Sequence, residues 1–396
     1  MALIGLSEPQ ASPRGWAPFA LGFRPFFLLA GLAAVVLLAV WGWAYVGGHM
    51  LANYYGFIGW HSHEMVFGYS SAVIAGFLLT AARNWTGIQT LRGVSLALLA
   101  LLWLLGRLLP FVPSLPPMLV AVVDLIFLPL FAVALLVPLV RARQYKSLLF
   151  VVVALVMSVA NLLVHLEILG VLRGGVHAGT YLAVDFVLLA IVVMGGRVIP
   201  FFTERGLPPG FVHREWVLVE RLAPASVVLL ALAEAFWPQP SLLAVVAAVA
   251  ALMNGWRLYG WYTRGIWRVS LLWALHLGYA WLVVGFALKA LAALGLFAPL
   301  QALHALTIGA IGGMTLGMMA RVALGHTGRN LVAAPVIGWA FALVNAATLV
   351  RVFLPLLMPY TQTVAIAATL WVAAFALFSW RYVPILLRAR VDGQPG

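Results

Sequence analysis

The 396-residue chain contains no cysteine. That absence excludes disulfides, thiolate-held zinc or copper, and iron–sulfur clusters. Any metal must be held by histidine, methionine, carboxylate or backbone oxygen. Charge is scarce as well: 8% of residues are charged and only 10 are acidic. So few charges cannot cover the surface of a soluble protein of this length. What fills the chain is hydrophobic residues, 65% of the total, in runs of about 20 that recur from end to end. Each run is long enough to cross a bilayer as a helix. The fold class is therefore all-α, a polytopic membrane protein.

Twelve spans fit the pattern, at about 25–46, 61–82, 94–112, 117–140, 147–171, 177–200, 218–237, 241–260, 270–296, 300–321, 333–354 and 362–386. The loops are short and carry no inserted soluble domain, so residues 1–396 read as one transmembrane helical domain. The first run follows Arg14 and Arg24 and is too long for a signal-peptide core, so it is expected to be retained. The net charge of +13 could suggest nucleic acid. The basic residues are instead spread over many short loops, which excludes a nucleic-acid partner and points to the bilayer. With both termini cytoplasmic, 19 Lys and Arg fall on the inner side and 4 on the outer.

This topology sorts the histidines by depth. His61, His63 and Glu64, in the stretch WHSHEM, lie at the outer mouth of the second span. His165 sits in the outer third of the fifth, and His177 and His304 open the sixth and tenth. His276 belongs to the inner third of the ninth, and His326 follows the tenth on the inner side. Histidine ligates metals and carries protons, and an ionisable group inside a bilayer normally faces the bundle interior. His61 and His63 are two residues apart, about 200° around a helix. Either His61 precedes the regular helix, or the two face different partners.

The tenth span, HALTIGAIGGMTLGMMAR, carries Gly309, Gly313 and Gly317 at spacings of four. Such a seam serves close helix packing or a flat cofactor. His304 leads a second face through Ile308, Ile311, Thr315 and Met318. The second span repeats the arrangement: Gly68, Ala72 and Gly76 stand at the same offsets from His63. The second, sixth and tenth spans are four apart, so three four-helix units are conceivable. Ser158, Asn161 and His165 share a face of the fifth span. Asp124 and Asp185 lie about 12 Å in from the outer helix ends and are candidate proton relays or partners of Arg. Met314, Met318 and Met319 are either packing or soft copper ligands. Near the inner face, Arg197 and Arg321 could anchor the carboxylates of a cofactor.

The motifs GFRPFF, WHSHEM, NWTG, GGRVIPFFT, LHLGYAW and HALTIGAIGGMTLGMMARVALGHTGR, in this order, resemble the NnrS family over about residues 20–385. Ser62 stands where a small apolar residue, usually Ala, is expected. The resemblance implies a multi-pass protein of the bacterial inner membrane that contains haem and copper and acts in nitric oxide metabolism and resistance to nitrosative stress. It also implies that His61, His63, His165, His276, His304 and His326 are the histidines that matter. Within that set His63 and His304 each open a span with a small-residue seam, so these two are expected to hold haem iron, in a b-type haem. His61 and His165, with Glu64 as the catalytic carboxylate, are expected to handle copper or protons. His276 and His326 are candidates for a second, inner site.

The leading expectation is a haem- and copper-containing protein that binds nitric oxide, with NO reduction as its enzymatic version and an unidentified electron donor. Twelve helices with histidine on the second, sixth and tenth are similar to the haem–copper oxidases, by analogy of fold alone. The His-His pair those oxidases carry on a seventh helix is missing, since Arg221–Trp237 has no histidine. The competing expectation is a proton-coupled secondary transporter or metal exporter without haem.

Overall fold

The computed structural model describes residues 15–49 and 51–394, and Arg14 lies outside them. The described residues form twelve helical rods. They are α1 Phe23–Gly47, α2 Phe57–Thr86, α3 Gly93–Leu108, α4 Pro117–Arg141, α5 Leu149–Ile168 and α6 Gly175–Gly206. The rest are α7 Val217–Phe236, α8 Pro240–Trp261, α9 Ser270–Ala293, α10 Pro299–His326, α11 Pro335–Phe353 and α12 Tyr360–Leu387. Eleven are long and apolar enough to cross a membrane. The exception, α7, is 20 residues long and carries Glu220, Arg221 and Glu234.

The rods begin and end where local chemistry dictates. Proline opens α4, α8, α10 and α11, where its missing N–H costs nothing. Gly48 and Gly87 close α1 and α2 in the left-handed conformation that glycine adopts without strain. Trp43, Trp237, Trp339 and Trp380 are exposed near rod ends, the depth of a membrane's interfacial belt.

Ten rods form a ring around two. Successive rods pack side by side from α3 to α9, α11 packs on α12, and α12 closes the ring on α1. Inside stand α2 and α10, whose apolar windows are 78% and 72% buried, against 33–61% elsewhere. Small residues let neighbours reach them. A side chain at Gly76 would meet Phe26 Cβ at 2.9 Å, and one at Gly309 would meet Trp281 at 2.5 Å. Gly313 lies against the backbone of Gly278, and Gly317 against Leu275. The glycine seam of α10 is thus filled by α9, and this settles it as a packing surface.

The ring is tied where its ends meet. Arg24 of the GFRPFF motif is fully buried and donates to the carbonyls of Leu386, at 3.1 Å, and Arg388, at 2.5 Å. Ala17 N–H donates to Leu387 O and Ala389 N–H to Gly15 O, at 2.9 and 3.2 Å.

Both central rods share one irregularity. In α2 the α-helix gives way to a π-helix at Glu64–Ser70, immediately after His63. In α10 it does so at Ala305–Gly312, immediately after His304. A π segment holds extra residue per turn and rotates everything beyond it relative to a regular helix. The resemblance between the two rods thus extends to the backbone.

Candidate functional site

His61 falls within the first turns of α2, so His61 and His63 point to opposite sides of the rod. Each belongs to a different site.

On the His63 side, α2 meets α3, α4 and α5 in a buried polar network. His63 and Glu64 are each 1% exposed. His63 Nδ1 lies 3.2 Å from Glu64 Oε1, and its Nε2 lies 3.0 Å from Asn161 Oδ1 and 3.2 Å from Asp124 Oδ2. Asn161 Nδ2 donates to Asp124 Oδ2 at 2.7 Å, and His165 Nε2–H donates to the same oxygen at 3.0 Å. Arg107 sits between the two acids. Its Nη2 donates to Asp124 Oδ1, and its Nε makes an ionic contact of 2.8 Å with Glu64 Oε2 off the N–H axis. Arg107 also donates to the Phe67 carbonyl at 3.3 Å, an acceptor within the π segment.

The loop before α2 caps this network. Tyr55 stacks on His63 with ring centroids 3.9 Å apart, and the Tyr54 hydroxyl donates to His165 Nδ1 at 3.1 Å. Burial first, then the Asp124 carboxylate, pushes the Tyr54 phenol up to about 12, so it stays protonated and remains a donor. One ligand atom each from His63, Asp124 and His165 lie within 4.8 Å of one another, the only such group among the described residues. Two imidazoles and a carboxylate at that spacing are a metal-binding donor set.

On the other side of α2 lies a cavity of about 470 Å³ between α1, α2, α6, α10, α11 and α12. His61 and His304 both line it. The Trp41 ring stacks on His61, with centroids 4.3 Å apart and planes 11° from parallel. His304 Nδ1–H donates to the Leu300 carbonyl at 2.7 Å, which leaves its Nε2 bare as a lone-pair donor. Met65, Tyr69, Ile308 and Trp371 supply much of the apolar wall, and Arg351 and Tyr360 also line the cavity. Beyond it, Ser70, Ile74, Phe77, Met314, Thr315 and Met318 line a smaller apolar crevice against α6.

The structure therefore pairs His63 with His165 and His61 with His304. It does not bring His63 to His304, or His61 to His165. His276 bonds to backbone through Leu272 O, at 2.9 Å, and Trp261 O, at 3.4 Å. His326 lies near Asn84, Nδ2 to Nε2 3.4 Å, and against the Phe23 ring. These two histidines have separate partners. Arg197 lies over Phe150 and Arg321 over Phe202, and neither lines the cavity. Asp185 faces Lys289, Oδ1 to Nζ 3.5 Å, and Lys289 also pairs with Glu234 at 2.6 Å. The residues of the two sites that sequence reasoning passed over include Arg107, Arg351, Tyr360, Trp41, Tyr54 and Tyr55. Both arginines stood out only as basic residues on the sparsely charged outer side.

The chain matches the family described as NnrS protein over residues 17–390. It belongs to the NnrS family. NnrS membership makes it a nitric-oxide-related membrane protein of a metal-associated family. No curated protein matches it. The matched residues include both histidine pairs, so the two sites lie within the NnrS portion of the chain.

Proposed function

We propose that this NnrS protein holds a haem between His61 and His304 and a copper ion at His63, Asp124 and His165, binds nitric oxide, and so protects the bacterial inner membrane's cell from nitrosative stress. The observation that carries the reading is the cavity of about 470 Å³ that sets two histidines in one apolar chamber. Its walls fit a flat apolar macrocycle. The bare Nε2 of His304 would offer a lone pair to the haem iron, and Trp41 fixes the plane of His61. Bound haem would supply an iron able to take up nitric oxide.

The second site supports a monovalent ion. With both histidines neutral, Arg107 faces the two carboxylates of Glu64 and Asp124, so the network stands at a net −1. A single positive charge at the three donor atoms brings it to zero, and buried charge is costly unless balanced. Copper(I) accepts imidazole ligands. Within this reading Glu64 is a positioning residue. It holds Arg107 and His63 in place, and Arg107 in turn holds Asp124.

The test is the absorption spectrum of the purified protein, oxidised, reduced and reduced with nitric oxide, together with its metal content. A Soret band that shifts at each step is expected. His61→Ala and His304→Ala should each lose or alter that band while keeping copper. His63→Ala and His165→Ala should lose copper while keeping haem. A protein without a Soret band, expressed with haem available, removes the basis of the reading. Consumption of nitric oxide by the reduced protein tests the enzymatic version.

A further inference from the structure

Arg351 is a buried cation facing a chamber. The residue is 6% exposed and lines the His61–His304 cavity. Its Nη2 donates to the Tyr360 hydroxyl, and the Tyr360 ring lies 4.5 Å from its guanidinium carbon. Its Nη1 is buried with no hydrogen-bond partner. Among the described residues Arg351 enters no ion pair. A neutral phenol and an aromatic face steady the guanidinium without cancelling its charge. A charge withdrawn from water and left unbalanced is unfavourable. This arginine is short of one anion, and its side chain lines the cavity. A planar guanidinium matches a carboxylate with parallel N–H donors.

We propose that Arg351, steadied by Tyr360, is the carboxylate anchor of the cavity, so that the ligand held between His61 and His304 must carry an acidic side chain. The inference rests on the haem reading and deepens it. It places one haem carboxylate at Arg351, whereas the sequence pointed to Arg197 and Arg321, which lie elsewhere. Arg351 then selects among macrocycles: those bearing a free carboxylate bind, and neutral ones of the same shape bind poorly. The site also fixes which way round the macrocycle sits, because Arg351 is the one arginine among the residues that line the cavity.

Binding separates this from its alternatives. Full-length protein stripped of haem is titrated with haem and with haem dimethyl ester, which keeps the ring and iron but loses both charges. The readout is affinity from the Soret band. Wild type is expected to prefer haem by about 10- to 100-fold, the range of a hydrogen bond to a charged group. Arg351→Gln should bring the two affinities together, and Arg351→Lys should keep part of the preference. Equal affinity of wild type for the two compounds overturns the proposal, and needs no variant to fold. So does an unchanged preference in Arg351→Gln. A lipid phosphate already seated on Arg351 would also give equal affinities, and counts against it. If neither compound binds wild type, the haem reading itself falls. If both bind equally, only the role of Arg351 does.

Discussion

Replacing Arg107 with methionine removes the one guanidinium that faces two buried carboxylates. Three contacts go: Glu64 Oε2 at 2.8 Å, Asp124 Oδ1, and the Phe67 carbonyl at 3.3 Å. Methionine preserves most of the apolar volume, so packing changes little. What remains is Glu64 and Asp124, 1% and 4% exposed, with no cation between them. Removing one partner of a buried ion pair costs about 3–5 kcal/mol, because the other charge is stranded. That is about a 150- to 5,000-fold rise in the population of opened molecules, at 1.36 kcal/mol per decade. The missing cysteines provide the assay. A single cysteine at Ala374, fully buried on α12 and away from the network, reacts with a thiol reagent only when the bundle opens. Labelling of Arg107→Met should accelerate by that factor in the presence of a chelator. Arg107→Lys should fall between, since an ammonium keeps the charge but cannot span both acids. Adding Glu64→Gln to Arg107→Met should recover part of the loss. If Arg107→Met labels within about threefold of the parent, a difference under ~1 kcal/mol, the network does not hold separated charges and the reasoning fails.

Two other outcomes follow from the surface of the bundle. Single cysteines at Ser114 and Arg173 should react with a membrane-impermeant reagent in intact cells, while those at Arg92 and Arg264 should react only after lysis; the reverse pattern would invert the topology. Near the C-terminus, the Arg390 guanidinium and then a backbone N–H hold the Asp392 carboxyl below its usual range. A depressed carboxyl contributes stability above its unfolded pKa of about 4 and loses it as pH falls through the folded value. Proteolytic nicking of the C-terminal segment should therefore rise below about pH 4 in wild type, and Asp392→Asn should show the raised rate already at neutral pH.

Much of this could be read from the residues. Twelve helical rods follow from hydrophobic run length, eleven of them long and apolar enough to cross a membrane, because a helix satisfies its backbone hydrogen bonds within itself. The spacing of His61 and His63 left two choices, and the helix starting at Phe57 selects different partners. The shared features of α2 and α10 were visible as histidine followed by small residues. The pairing of histidines was not, because depth in a membrane says nothing about which rods are neighbours. The faces drawn at 3.6 residues per turn also drifted. A regular helix would put Ser70, Ile74 and Phe77 on the face that His63 leads, yet His63 enters the polar network and the other three line the small crevice. The π segment between them accounts for the turn. In the same way His304, Ile308 and Ile311 line the large cavity, while Thr315 and Met318 have moved to the crevice.

The paired π segments make the inner halves of α2 and α10 depend on counting. A helix that takes up one extra residue in a π segment keeps its length and aim, but every residue beyond falls about 100° from where a regular helix would put it. Deleting one residue between Glu64 and Ser70 would restore an ordinary helix with the inner half of α2 aimed as it is, whereas winding the same residues into an ordinary helix would swing Ile74 and Phe77 off the crevice without altering either of them. Substitutions can tune what either site binds. The aim of each central rod's inner half is written in the chain's arithmetic, and an insertion or deletion is the kind of change that alters the count.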